Sequence, residues 1–199
     1  MIINTNDYIK LYSNCFDVSI LQETIKELKL LKSIENKEEK VSEDYWETHR
    51  WYNTITKETT SRNNEELEMS YKIVKHQNTI MNNLHHYIGK YINEMKNPHF
   101  DSWSGYSRIA FHRYKQGTNM RPHIDHTSSI FDGTIKGVPI LSVVGQLNDN
   151  FDGGEFVILD KTIKMKSGDL LIFPSNFIFI HKVNKILKGT RFSFISWVY

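Results

Sequence analysis

The chain has few of the features that would place it in a specialised class. Its 199 residues contain one cysteine, Cys15, which excludes an internal disulfide and suits a reducing compartment. No apolar run approaches the ~20 residues needed to span a bilayer. Met1 to Tyr12 has no charged segment leading into an apolar one, so no signal peptide is expected. Together these absences predict a cytoplasmic protein with no membrane partner. The formal net charge is only +2 and no basic cluster dominates, which argues against nucleic acid as a partner. Repeats and low-complexity segments are also missing.

The residues that are present suffice for a packed domain. Hydrophobic residues make up 39% and aromatics 13% of the chain, enough for a core at this length, and one domain over 1–199 is expected. The first half reads helical. Ser19 is expected to cap a helix with Gln22 as its capping-box partner, and Leu21, Ile25, Leu28 and Leu31 follow at helical spacing. Residues 34–44 are charged and aperiodic and read as a loop. Residues 45–60 fit a strand or an ordered loop. A second helix is predicted from about Asn64 to Met95, carried by an apolar stripe from Tyr71 and Val74 to Tyr91 and Met95, with Asn97-Pro98 ending it. His85 and His86 lie off that stripe and read as surface residues.

From Tyr106 the pattern changes to short β-rich runs: 106–114, 120–125, 138–147, 154–159, 162–166, 169–173, 177–183 and 191–199. Turn signals separate them, among them Gly117, Asp132-Gly133, Asp152-Gly153-Gly154 and Lys188-Gly189. Eight short strands at this spacing suggest a sandwich or jelly roll. The predicted class is α+β and mainly β: a double-stranded β-helix (jelly roll, cupin-like) over 101–199, with residues 1–100 supplying helical support on one sheet and a substrate-side segment.

Four fragments carry chemistry. His123 and Asp125 are two apart, and on a strand such residues share a face. With His181 from another strand they would form a two-His, one-carboxylate facial triad, a donor set suited to Fe(II) that leaves positions open for a bidentate ligand and dioxygen. Arg191 and Ser193 are likewise two apart and should both point into the barrel, where a guanidinium fork matches a carboxylate. A ferrous ion, one carboxylate side chain, a dicarboxylate and Arg191 sum to zero charge, which avoids an uncompensated charge in the interior. Taken singly, a histidine in an apolar run is usually a satisfied core residue, and His-x-Asp is a common chance pair; the ordered combination is much more specific.

Over about residues 106–199 the sequence resembles the prolyl 4-hydroxylase-like 2-oxoglutarate and Fe(II)-dependent dioxygenases. The likeness rests on Tyr114-x-x-Gly117 ahead of Pro122-His123-Ile124-Asp125, Leu147-Asn148, Gly153-Gly154-Glu155, Gly168-Asp169-Leu170-Leu171-Ile172-Phe173-Pro174, His181-Lys182-Val183, Gly189-Thr190-Arg191 and Trp197. It implies that His123, Asp125 and His181 bind iron, that Arg191 with Ser193 binds the distal carboxylate of 2-oxoglutarate, and that Tyr114 bonds the carboxylate nearer the metal. It also implies Fe(II), 2-oxoglutarate and O2 as cofactor and cosubstrates, ascorbate as a candidate reductant, and a prolyl residue in a peptide or protein as substrate. Gln146 stands where relatives often carry Tyr, which leaves the distal carboxylate contact open. His112 shares the strand face of Tyr114 and is expected to be packed or solvated, with pocket lining as the alternative. His126 reads as a supporting or surface residue. The strip Tyr45, Trp46, His49, Arg50, Trp51 and Tyr52, together with Trp103, is a candidate substrate-facing surface; packing between helices and sheet is its competing reading. Three other functions stay open: an oxygenase acting on a free amino acid or small metabolite, a nucleic-acid demethylase, against which the His181-to-Arg191 spacing weighs, and a jelly-roll binding module without turnover.

Overall fold

The last strand, Arg191–Val198, is buried along its whole length, and the rest of the fold follows from what covers its two faces. The computed structural model describes residues 4–34, 45–49, 51–53, 58–60, 67–96, 103–126 and 138–199. In chain order the elements are β1 (Lys10–Tyr12), α1 (Val18–Lys29), β2 (Lys32–Ile34), β3 (Tyr45–Thr48), β4 (Trp51–Asn53), β5 (Glu58–Thr60), β6 (Glu68–Ser70), α2 (Gln77–Met95), β7 (Ala110–Tyr114), β8 (Met120–His123), β9 (Leu141–Gln146), β10 (Asp152–Gly153), β11 (Phe156–Ile158), β12 (Lys161–Ile163), β13 (Leu170–Pro174), β14 (His181–Val183), β15 (Ile186–Lys188) and β16 (Arg191–Val198). A large sheet runs β1-β13-β9-β16-β7-β6-β3-β2 and a smaller one β12-β11-β14-β8. Only the β2–β3 pair in these two sheets is parallel; the large sheet is therefore mixed, and the architecture is the predicted jelly roll.

Strand alternation divides the large sheet into two faces. Phe111, Leu141, Val143, Leu170, Ile172, Phe194 and Val198 face outward and form one core with Leu21 and Leu28 of α1 and Ile80, Leu84, Ile88 and Tyr91 of α2. Each of these side chains contributes roughly 1.5–3 kcal/mol on burial, and the two helices are held by that contact. The intervening residues, Ala110, Tyr114, Val144, Leu171, Phe173, Ile195 and Trp197, face inward against Phe156, Ile158, Ile163 and Val183 of the small sheet. Gly145 has to be glycine: a Cβ there would run into the Phe194 ring.

Several boundaries differ from those read off the sequence. Helix α2 starts at Gln77, not near Asn64, and Glu68–Ser70 instead forms β6 between β3 and β7. Tertiary pairing overrides the local pattern here. Glu68 is 6% exposed and receives Arg113 Nε at 2.6 Å and Lys115 Nζ at 3.1 Å from the neighbouring strand region, a bond set that a helix could not supply. The α1 cap is Asp17, whose carboxylate accepts the Ser19 amide at 2.8 Å; the Ser19–Gln22 box does not form. Helix α2 closes with Lys96 in the left-handed region. Asn64, residues 35–44, Asn97-Pro98 and Asp132-Gly133 lie outside the described residues.

Candidate metal and dicarboxylate site

His123 ends β8 and His181 begins β14, and the two are register partners in the small sheet. Asp125 lies just past the end of β8, in a bend. The strand is therefore shorter than expected, and the carboxylate reaches its place through hydrogen bonding beyond the strand end. Ser142 Oγ donates to Asp125 Oδ2 at 2.6 Å, and Ser142 lies 2.8 Å from Ser175 Oγ. The Nε2 atom of His123 is 3.5 Å from Asp125 Oδ1, and that of His181 is 3.7 Å from Oδ2. The three candidate ligand atoms all lie within 4.8 Å of one another.

The protonation pattern suits a metal. The Nδ1 of His123 meets the Arg121 carbonyl at 2.8 Å and the Nδ1 of His181 meets the Phe179 carbonyl at 3.1 Å. A carbonyl accepts only, so both Nδ1 atoms carry a proton, and both Nε2 atoms are turned toward Asp125. Burial pushes the His181 pKa down to about 4, with Asp125 opposing and His123 assisting, so the ring is neutral and ready to ligate. Burial would raise the Asp125 carboxyl, but His181, His123, Ser142 and Trp197 outweigh it and hold the group below its ordinary value. Phe156 stacks on the His181 ring at 5.4 Å and Phe173 meets its edge at 4.9 Å, fixing its plane. Two imidazoles and one carboxylate gathered within 4.8 Å are the donor set that suits a ferrous ion with open positions.

The same pocket holds Tyr114, Arg191 and Ser193 together with His112, His123 and His181. Arg191 is 2% exposed. Its Nε donates to Gln146 Oε1 at 3.0 Å and its Nη1 to Ser193 Oγ at 3.2 Å. The guanidinium carbon sits 5.0 Å from the centre of the Tyr114 ring. Nη2 is buried with no hydrogen-bond partner among the described residues. Burial lowers the Arg191 pKa while Tyr114 opposes it, and burial raises that of Tyr114. An interior cation with one unused donor is available to an anion that enters the pocket. Arg191 and Ser193 thus share the inner face, as their spacing predicted, and Ser193 orients the guanidinium.

Gln146 sits beside Ser193 across the β9–β16 pair; it engages Arg191, and its amide donates to the Asn148 carbonyl at 2.6 Å. Ser142 was not picked out from the sequence, although Ser142, Val144 and Gln146 share the inner face of β9 and an inward polar residue beside a metal cluster is a usable signal. His49, in the strip proposed to face substrate, is near the site: its pKa is pushed to about 4, chiefly by burial and then by His123. Trp46 is not substrate-facing. It is fully buried, its Nε1 donates to the Leu28 carbonyl at 3.0 Å, and Arg113 covers its ring at 4.6 Å. Trp103 packs against the His85 and Tyr106 rings, which likewise places it in the helical layer. Arg50 and the side chains of Trp51 and Tyr52 lie outside the described residues. His126 is exposed, and its Nδ1 meets the Pro139 carbonyl at 2.8 Å.

Residues 109–199 match the 2OG-Fe(II) oxygenase superfamily. The resemblance drawn from the sequence is borne out by that match and by a PKHD-type hydroxylase of Idiomarina loihiensis, 33% identical over 96 residues. That alignment covers 46% of this chain and 42% of the relative, so the chain matches less than half of the relative's length. Among solved structures, the viral collagen prolyl hydroxylase of Paramecium Bursaria Chlorella virus-1 in its 2OG complex superposes with a TM-score of 0.61 at 15% identity, over 96% of this chain and 94% of that one. A prolyl hydroxylase of Trichoplax adhaerens, in complex with a hypoxia inducible factor peptide fragment, gives 0.62 at 15% identity over 97% and 84%. At these identities the structures establish the fold. Among the described residues, no helix is long and apolar enough to cross a membrane.

Proposed function

We propose that the protein is a 2-oxoglutarate- and Fe(II)-dependent dioxygenase that hydroxylates a C–H bond, with a prolyl residue of a peptide or protein as its target. The observation that carries the reading is the joint one: a His123–Asp125–His181 cluster within 4.8 Å, two of whose members, His123 and His181, line the same cavity as Arg191, whose Nη2 has no partner among the described residues. His123, Asp125 and His181 would hold the iron, which with 2-oxoglutarate and O2 supplies the oxidising power for hydroxylation and releases succinate and carbon dioxide. The chain's own residues position and neutralise. Arg191 takes the far carboxylate through its terminal nitrogens, because Gln146 already occupies Nε and Ser193 steadies Nη1. Tyr114 lies against the guanidinium, its ring centre 5.0 Å from the guanidinium carbon. Asp125 stays ionised because Ser142 and the two imidazoles favour the anion. Phe156 and Phe173 keep the His181 ring in one orientation, so the donor set is formed before any ligand arrives.

The prolyl target is supported by the nature of the superposing enzymes. The test is succinate release by the Fe(II)-loaded protein under oxygen, with proline-containing peptides and free amino acids as alternative substrates. Peptide-stimulated succinate, with a product heavier by one oxygen atom, is the expected result. Stimulation by a free amino acid alone would move the reading to a small-molecule oxygenase. Turnover that survives Asp125→Ala combined with His181→Ala would remove the metal-site assignment.

A further inference from the structure

His112 is an interior histidine that none of the roles above uses. It lies at the centre of β7, opposite Ser193 of β16 on one side and Met69 of β6 on the other. It is 8% exposed and lines the cavity that holds Arg191, Tyr114, His123 and His181. Its Nε2 is buried and has no hydrogen-bond partner among the described residues. A histidine kept for packing would normally satisfy that nitrogen with the protein. Its electrostatic neighbours are His49, Arg191, Asp125 and His123. It thus shares one cavity wall with the guanidinium and with two of the candidate metal ligands.

We propose that His112 is a further cosubstrate-binding residue, donating from Nε2–H to a carboxylate of the dicarboxylate that spans Arg191 and the His123–Asp125–His181 cluster. The assignment rests on the oxygenase reading given above. Burial drives the ring pKa down to about 3, so the imidazole is neutral and carries one N–H. A carboxylate accepts only, which places that proton on Nε2. The cavity offers a dianion few charged donors: Arg191 has one unused terminal nitrogen, the Ser193 and Tyr114 hydroxyls can each donate one bond, and His112 Nε2 adds a further donor on the same wall. The position on the sheet, two residue pairs from Arg191–Tyr114 and so on the same face, places the imidazole on the cavity wall with Arg191.

Equilibrium dialysis of 2-oxoglutarate against the Fe(II)-loaded protein without oxygen tests the assignment, with iron affinity measured in parallel. His112→Phe keeps a ring and removes the donor. Its dissociation constant for 2-oxoglutarate should rise roughly 10- to 100-fold, the size of one hydrogen bond to a charged group, while iron affinity stays unchanged. His112→Gln, which retains an N–H, should recover most of the affinity. A His112→Phe protein that binds 2-oxoglutarate like the wild type overturns the assignment, and so does an effect confined to the KM for the hydroxylated substrate. Should His112→Phe lose its cooperative melt, the contrast of His112→Gln with His112→Leu decides in the same way. If the wild type binds no 2-oxoglutarate, the oxygenase reading falls together with this one. If it binds and Arg191→Met abolishes binding while His112→Phe does not, only His112 is reassigned.

Discussion

Replacing Arg191 by methionine should separate stability from ligand binding. The wild-type guanidinium is 2% exposed and is surrounded by neutral partners: Gln146 at 3.0 Å, Ser193 at 3.2 Å and the Tyr114 ring at 5.0 Å. Holding that charge away from water costs several kcal/mol. The two hydrogen bonds from the charged group return about 1.5–3 kcal/mol each, and the ring contact up to about 2 kcal/mol. Methionine has similar length and removes both sides of this balance, so the metal-free protein should stay within about 2 kcal/mol of the wild type, or roughly 4–8 °C in melting temperature for a chain of this size. Binding behaves differently. A dicarboxylate in the variant buries one carboxylate without its counter-charge, which costs about 3–5 kcal/mol, or roughly two to three and a half decades in the dissociation constant for 2-oxoglutarate. The assay is a thermal melt with and without 2-oxoglutarate, together with dialysis of the Fe(II)-loaded protein. An Arg191→Met protein that unfolds at ordinary temperature, or one that binds 2-oxoglutarate within about tenfold of the wild type, would refute the reasoning. Arg191→Lys keeps the charge and loses the fork, and should fall between the two.

Ser142→Ala removes the 2.6 Å bond to Asp125 Oδ2 and should weaken iron binding about 10- to 100-fold, as loss of an outer partner to a metal ligand commonly does; metal titration checks this. His49 and His112 are both held neutral, at about 4 and about 3 against an ordinary 6.5, so the folded state binds fewer protons than the unfolded one between those values. Stability is therefore complete above about pH 6.5 and is lost as pH falls towards 4, and melts of metal-free His49→Phe should show a shallower acid slope than the wild type. Trp46→Ala empties a fully buried site and strands the Leu28 carbonyl, and should cost about 3–5 kcal/mol by urea denaturation without changing iron affinity.

Strand periodicity made the second half of the chain readable. The inward set on β16 and the pairing of Arg191 with Ser193 follow from a spacing of two, and His181 was found in an apolar run because its partners occur in a fixed order. The first half was less legible for a specific reason. Glu68–Ser70 carries no strand pattern of its own, and β6 exists because β7 offers Arg113 to a buried Glu68 and an open edge beside it. The apolar stripe continued through Tyr71 and Val74 and imitated a longer helix. Likewise, nothing local distinguishes Trp46, which closes the core, from an aromatic that grips substrate.

Gln146 shows what a departure from a family pattern can mean once side chains have places. On sequence alone it left the far carboxylate contact open, because relatives often carry Tyr at that place. In the fold the amide turns its oxygen to Arg191 Nε and its nitrogen to the Asn148 carbonyl. Both polar atoms are thereby engaged by the protein. The side chain instead fixes the guanidinium in one rotation, with Nε and Nη1 engaged and Nη2 left over. Recognition of the carboxylate then falls to Nη2 and to whatever other donor the cavity wall offers. His112 Nε2 is the other buried atom lining that cavity with no partner among the described residues. The amide at 146 and the imidazole at 112 should therefore be coupled: placing Tyr at 146 should reduce the dependence of 2-oxoglutarate binding on His112, a double-mutant comparison that independent sites would fail.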